Sequence, residues 1–372
     1  MATPYGTESV WRVLRALGAC ALVIGLAAML WATLYILGRD TSDAFGLGVA
    51  LAMLPLPVYL AAVMWLDRFE PEPRSLLVAM FAWGAGTAFA LAYTLNTAGT
   101  RVIGELRGSA VADIFLGSVS APVVEETLKA VPLFALLALG RHQLDDILDG
   151  AVYASMVGLG FAVSENILYY GRAVDGEGLP EALSLFLLRG VWSPFIHPLF
   201  TTATAIGVAF AATRAGPRWR VAPLAGLLAA MVLHSLWNTA AGTGWLHVMY
   251  YVLFIPLVAG LALVLFLVRR QQAHVLADHL PLALGREARV VAELGSPQGR
   301  AALRRVARSR GGPAGRRTAV AYESAAVELA FLERRVARGH THRTDDVRRR
   351  ELRARILKLE DELRRSGVIP GA

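Results

Sequence analysis

The sequence predicts an all-α polytopic membrane protein with about eight transmembrane helices and a cytoplasmic helical tail. Of its 372 residues, 55% are hydrophobic, and the mean hydropathy is +0.49. The apolar residues fall into repeated runs long enough to cross a bilayer, which takes about 20 residues of helix. We expect a protein of the plasma membrane. Arginines are more frequent in the loops on the side of the two termini, which predicts that both termini lie in the cytoplasm.

The membrane domain is predicted to cover residues 1–268. Its first apolar run is longer than the apolar core of a signal peptide and does not end in a small-residue cleavage site, so we expect it to be retained. In the fifth run, small residues recur every four positions, which favours close contact with another helix. The predicted spans are 16–37, 44–66, 75–98, 113–139, 149–170, 183–212, 221–241 and 247–268.

The remaining residues, 269–372, form a basic tail with a net charge of +11, whereas residues 1–268 carry −3, which gives the total of +8. Its first part is punctuated by glycine and proline and is predicted to be a flexible linker. Periodic apolar residues then predict a helical hairpin over 318–365, with Gly339 between the two helices. The positive charge fits a cytoplasmic tail near anionic lipid headgroups. Since no nucleic-acid-binding motif accompanies it, we expect no nucleic-acid partner.

The fourth predicted span contains two adjacent carboxylates and a lysine, Glu125, Glu126 and Lys129. Ionisable groups at this depth cost several kcal/mol unless they are compensated, and they usually line a cavity or pathway. At about 1.5 Å per residue, polar residues of the next three spans reach a similar depth and are candidate partners. They are Glu165, His197, His234 and Asn238.

Each of these residues also has a structural interpretation. Glu125 and Lys129 are four residues apart and can neutralise each other on one helix face. His197 lies between two prolines and can mark a helix kink, whereas His234 and Asn238 can hold a helix contact together. The coincidence of all of them at one depth favours a single buried polar site.

The chemistry of this set indicates metal-assisted hydrolysis of a peptide bond within the membrane. Two imidazoles and a carboxylate suit a divalent ion, with zinc favoured. A further carboxylate can activate a bound water, and Asn238 can hydrogen-bond the carbonyl oxygen as charge develops. The chain lacks the H-E-x-x-H sequence of soluble zinc proteases.

Four motifs, in order on four consecutive spans, resemble those of the PrsW-type intramembrane metalloproteases, which are related to the type II CAAX prenyl proteases. The resemblance covers about residues 67–241 and includes a polar turn with the sequence E-P-E-P. The matching motifs are E-E-x-x-K at 125–129, F-x-x-x-E-N at 161–166, His197 within S-P-F-I-H-P, and His234 to Asn238 within H-S-L-W-N. The related proteases usually have a histidine where this chain has Glu165.

The resemblance implies a role for each matching residue. Glu125 would be the general base and Glu126 a supporting carboxylate. His197, His234 and Glu165 would bind the metal or position water. Asn238 would act catalytically at the oxyanion site, and the supporting residues would be Lys129, Asn166 and Phe161.

For the substrate, the resemblance implies a membrane-anchored protein, with an anti-sigma factor cleaved at its outer side as the candidate. Two other functional classes stay open on the sequence alone. One is a proton- or cation-coupled transporter that uses the carboxylates as a relay, although the chain has no internal repeat of the kind transporters often show. The other is a non-catalytic membrane scaffold.

Overall fold

The fold is known from a computed structural model, which describes residues 25, 27, 30–41, 44–67, 72–144, 146–214, 216–284, 297–337 and 345–369. Within these residues the secondary structure is helical, with no strand. We number the helices α1 (30–41), α2 (Phe45–Leu66), α3 (Arg74–Arg107), α4 (109–139), α5 (Ile147–Glu177), α6 (Leu179–Thr213), α7 (Pro217–Gly242), α8 (246–284), α9 (Pro297–Ala337) and α10 (Asp345–Arg365).

Six helical segments among the described residues are long and apolar enough to cross a membrane: α2, α3, α5, α6, α7 and Leu246–Val268 of α8. The predicted all-α polytopic membrane fold is therefore confirmed, but the count of eight is not. The first predicted span, 16–37, lies largely outside the described residues. The fourth is helical as α4, but it carries three charged residues close together, Glu125, Glu126 and Lys129, and is not one of the six.

Helix α5 is the centre of the bundle, with 89% of its most apolar window buried. It begins at a capping box, in which the side chain of Asp146 accepts from the backbone N–H of Asp149. Glycines let its neighbours approach closely. A Cβ at Gly160 would lie 2.1 Å from the Phe81 carbonyl oxygen of α3, and one at Gly158 would lie 2.7 Å from the Pro198 nitrogen of α6. This close contact agrees with the predicted small-residue face.

Irregular turns interrupt the helices that flank α5. A π-helical turn covers Leu116–Ser120 in α4, directly before the carboxylate motif. Its backbone oxygens accept hydrogen bonds from α7: Asn238 Nδ2 donates to Gly117 O over 3.0 Å, and Ser235 Oγ donates to Ser118 O. Another π-helical turn, Phe186–Trp192 in α6, is followed by a break at 193–195. The predicted kink in the sixth span is thus present, and His197 follows it.

The tail has a core of its own. Apolar residues of α9 and α10 pack together, including Tyr322, Leu329 and Leu352, and α9 also contacts α8. The structure differs from the predicted linker over 269–317, because α8 continues to Leu284 and α9 begins at Pro297. The glycine and proline that suggested flexibility instead make a kink inside α9, where Gly312 has a φ of 60°. Gly339 lies outside the described residues.

Candidate active site

Helices α4 to α7 bring the predicted ionisable residues into one buried cluster. Glu125, Glu126, Lys129, His197 and His234 are all at most 6% exposed. Glu165 joins them from α5, its side chain 13% exposed. The structure thus gathers seven of the nine predicted site residues around a single centre, these six and Phe161, as the cost of isolated charge in a membrane requires.

Lys129 lies at the middle of this cluster and is completely buried. Its Nζ lies 2.9 Å from Glu126 Oε1, 3.4 Å from Glu125 Oε2 and 3.0 Å from His197 Nδ1. It also sits 3.9 Å from the centre of the Phe161 ring, a cation–π contact. Lys129 therefore neutralises part of the carboxylate charge and ties α4 to α5 and α6.

The contacts of His197 determine which of its ring nitrogens carries the proton. A lysine ammonium has no acceptor, so His197 Nδ1 must accept from Lys129. The other nitrogen, Nε2, then donates to Glu165 Oε2 over 2.9 Å. The Nδ1 lone pair of His197 consequently points toward Lys129 and the neighbouring carboxylates.

His234 is held in the same way by a different carboxylate. Its Nδ1 donates to Glu126 Oε1 over 2.9 Å, and its ring stacks on Phe200 with 4.9 Å between centres. In the neutral ring this leaves Nε2 as the acceptor, 3.9 Å from Glu125 Oε2. The two imidazole rings are 5.4 Å apart, and both direct a lone pair toward the same centre.

Arg189 is a member of the site that the sequence analysis missed. It forms an ion pair with Glu165, donates through Nε to Asn166 Oδ1 over 2.7 Å and lies 4.4 Å from the centre of the Tyr169 ring. Its position gives the signal that could have identified it, because a charged residue inside the predicted span 183–212 needs a buried partner. Asn166, which was predicted to be a supporting residue, is thus connected to the site through its hydrogen bond with Arg189.

Asn238 is the predicted catalytic residue that does not join the cluster: within the described residues, no hydrogen bond links it to the cluster. Its amide donates to Gly117 O of α4, one helical turn beyond His234. In this arrangement it holds α7 against α4, which is the structural interpretation that the sequence left open. Its role at the oxyanion stays a prediction.

The cluster fits a divalent cation. Glu125, His197 and His234 each offer one ligand atom, and these atoms lie within 4.8 Å of one another. Two histidines and a glutamate are one of the ligand sets of catalytic zinc. Each histidine has a carboxylate on its other nitrogen, the arrangement that orients metal-bound imidazoles. The ammonium of Lys129 lies among these atoms, 3.0 Å from His197 Nδ1 and 3.4 Å from Glu125 Oε2.

A cavity of about 410 Å³ between α3, α4 and α5 reaches the cluster. Glu125, Glu165 and Phe161 line its inner end. Exposed residues, including Arg101 and Arg172, line its outer end. The cavity therefore extends from Glu125 to exposed residues of α3 and α5.

The comparisons with known proteins agree with this geometry. Residues 72–261 match the model of the PrsW family, described as intramembrane metalloproteases. The chain belongs to the PrsW family. The family resemblance predicted from the sequence is thereby confirmed, and the matched region contains every member of the cluster.

Two curated relatives are both named Protease PrsW. The protein of Geobacillus kaustophilus is 32% identical over 125 residues, which are 33% of this chain and 49% of the relative. The protein of Clostridioides difficile is 29% identical over 150 residues, 40% of this chain and 60% of the relative. The chain therefore spans about half the length of the curated relatives it matches. No solved structure gives a significant match.

Proposed function

We propose that this protein is a metal-dependent intramembrane endopeptidase that cleaves a membrane-anchored protein. The observation that carries the proposal is the buried convergence of Glu125, His197 and His234, with ligand atoms within 4.8 Å. Family membership supports the same chemistry. A relay of protons alone would not need two imidazoles whose lone pairs face one point.

Each residue of the cluster has a distinct part in this proposal. His197, His234 and one oxygen of Glu125 would hold the ion, for which zinc is the first candidate. When bound, such an ion lowers the pKa of water and polarises a carbonyl group. Glu165 and Glu126 orient the two imidazoles from their other nitrogens, so we assign Glu165 to positioning rather than to direct metal binding.

Glu125 is the proposed general base because it lines the cavity and also faces His234. Its free oxygen accepts a proton as water adds to the peptide carbonyl carbon, and it returns that proton to the leaving amine as the C–N bond breaks. Lys129 donates to Glu125 and supplies positive charge beside the carbonyl oxygen, where negative charge develops.

The finer features of the proposal follow from the sequence. We assign the protein to the plasma membrane, and the distribution of arginines supports an orientation with both termini in the cytoplasm. The family resemblance makes a membrane-anchored anti-sigma factor the first substrate class to test. Under this orientation, the cavity opens on the outer side.

The test replaces Glu125 with Gln and compares membrane-anchored fragments by quantitative proteomics in cells that produce each form. Glu105→Gln is the matched control, because Glu105 is an exposed carboxylate on α3. We expect a set of fragments that falls at least 100-fold with Glu125→Gln and is unchanged with Glu105→Gln, at equal amounts of folded protein. If no fragment depends on Glu125, the protein is not a protease of this kind.

A further inference from the structure

The cavity beside the cluster has opposite charges at its two ends. Glu125 and Glu165 line its inner end, and Arg101 and Arg172 line its outer end. Arg172 pairs with Asp40 over 2.8 Å. Arg101 is exposed and, within the part of the chain that the structure describes, has no recorded ion pair. A positive charge is therefore available at the outer end of the cavity.

Contacts between α3 and α4 give the length of the cavity. Ser120 Oγ lies 3.2 Å from Asn96 Oδ1, so these two residues are at one level. The helices are antiparallel here, and Glu125 is one and a half turns inward, or roughly 8 Å at 1.5 Å per residue. Arg101 is a similar distance outward. The two ends are thus about 15 Å apart, which an extended chain crosses in four or five residues.

The cavity wall suits a peptide backbone rather than a helix. Asn96, Thr97 and Thr100 line it with amide and hydroxyl groups between the two charged ends. Thr100 Oγ1 donates to Asn96 O and Asn96 Oδ1 accepts from Ser120 Oγ. The Asn96 amide N–H groups can still donate to backbone C=O groups of an unwound segment, and Thr100 Oγ1 can accept from its N–H groups, which would otherwise be unsatisfied in the membrane. Two aromatic rings complete the lining, Tyr93 on the same helix and Tyr169 on α5.

We infer that this cavity binds an extended substrate segment whose acidic side chain pairs with Arg101, four or five residues from the bond that is cleaved. Within the cavity, the acidic residue lies at the outer end, toward the connection between α3 and α4, and the scissile bond lies at the inner end. This inference rests on the proposed function and adds the substrate class: a membrane-anchored chain with an Asp or Glu at this distance from the scissile bond.

The probe is a six-residue peptide of alternating Ala and Gly with Asp at one end and photoreactive benzoylphenylalanine at the other, made in both orientations. It is cross-linked to the purified full chain carrying Glu125→Gln, and matched peptides carry Asn or Lys in place of Asp. Arg101→Glu is the test variant. Arg107→Glu is its control, because Arg107 is an exposed residue of the same helix outside the cavity lining.

For one of the two peptide orientations, we expect the yield of cross-links to α4 or α5 to be at least 10-fold higher with the Asp peptide than with the Lys peptide. Arg101→Glu should reverse this preference, and Arg107→Glu should keep it. Equal yields for all peptides, or an unchanged preference with Arg101→Glu, would overturn the inference. The measurement needs no cleavage, so its failure is distinct from a failure to find fragments that depend on Glu125.

Discussion

At the scale of single residues, the site is built from carboxylate–histidine pairs. Glu165 holds His197 and Glu126 holds His234, so each imidazole turns its lone pair to the centre where Lys129 and Glu125 lie. The sequence predicted the residues of these pairs because charged groups inside apolar spans demand partners. It did not predict which carboxylate meets which histidine, because that depends on the rotation of each helix about its axis.

Arg189 tests the importance of this positioning. Arg189→Met should remove the ion-pair partner of Glu165 and leave its nearly buried negative charge with the His197 hydrogen bond alone, at a cost on the order of 3 kcal/mol. We expect a lower melting temperature in detergent and a loss of the fragments that depend on Glu125. Arg189→Lys should restore much of the stability by keeping the charge, but less of the cleavage, because the hydrogen bond to Asn166 is lost.

Arg107→Met is the control for this series, since Arg107 is exposed and outside the cluster. It should leave both melting temperature and cleavage unchanged. If Arg189→Met behaved like this control, Glu165 would not depend on its ion pair, and the positioning role given to it would be wrong.

At the scale of helices, interruptions and small residues set the position of each site residue. The π-helical turn before Glu125 frees backbone oxygens for α7, and the break in α6 comes just before His197. The prolines around His197 made that break predictable. The π-helical turns have no such marker in the sequence.

The approach of α5 to the break in α6 gives a test at this scale. A Cβ at Gly158 would lie 2.7 Å from the Pro198 nitrogen, next to His197. Gly158→Ala should therefore displace His197, lower the stability by about 1–3 kcal/mol and reduce cleavage at least 10-fold.

Gly176→Ala is the matched substitution on the same helix, where an added Cβ meets nothing within 4 Å. It should keep full cleavage and increase stability slightly, as alanine favours a helix over glycine by up to about 1 kcal/mol. Melting temperature and fragment yield measure both variants. Equal behaviour of the two would show that close contact between α5 and α6 does not position His197.

At the scale of the whole molecule, the site joins helices that are distant in sequence. Glu125 and His234 come from α4 and α7, with the central helix α5 between them in sequence. The sequence predicted this bundle because long apolar runs can fold only as spans. It did not predict the course of the tail, where α8 extends to Leu284 and α9 bends at Gly312. There, local glycine and proline indicated a linker, but packing against α10 and α8 stabilises helix.

Metal binding tests the central claim most directly, since the proposed ligands come from three helices and meet only in the folded bundle. The measurement is the zinc content of the purified full chain after equilibrium dialysis, compared with His234→Ala and with His247→Ala, an exposed histidine of α8. We predict one ion per chain for the unchanged protein and for His247→Ala, and at least a 10-fold weaker affinity for His234→Ala. The same zinc content in all three proteins, or none in any, would contradict the account.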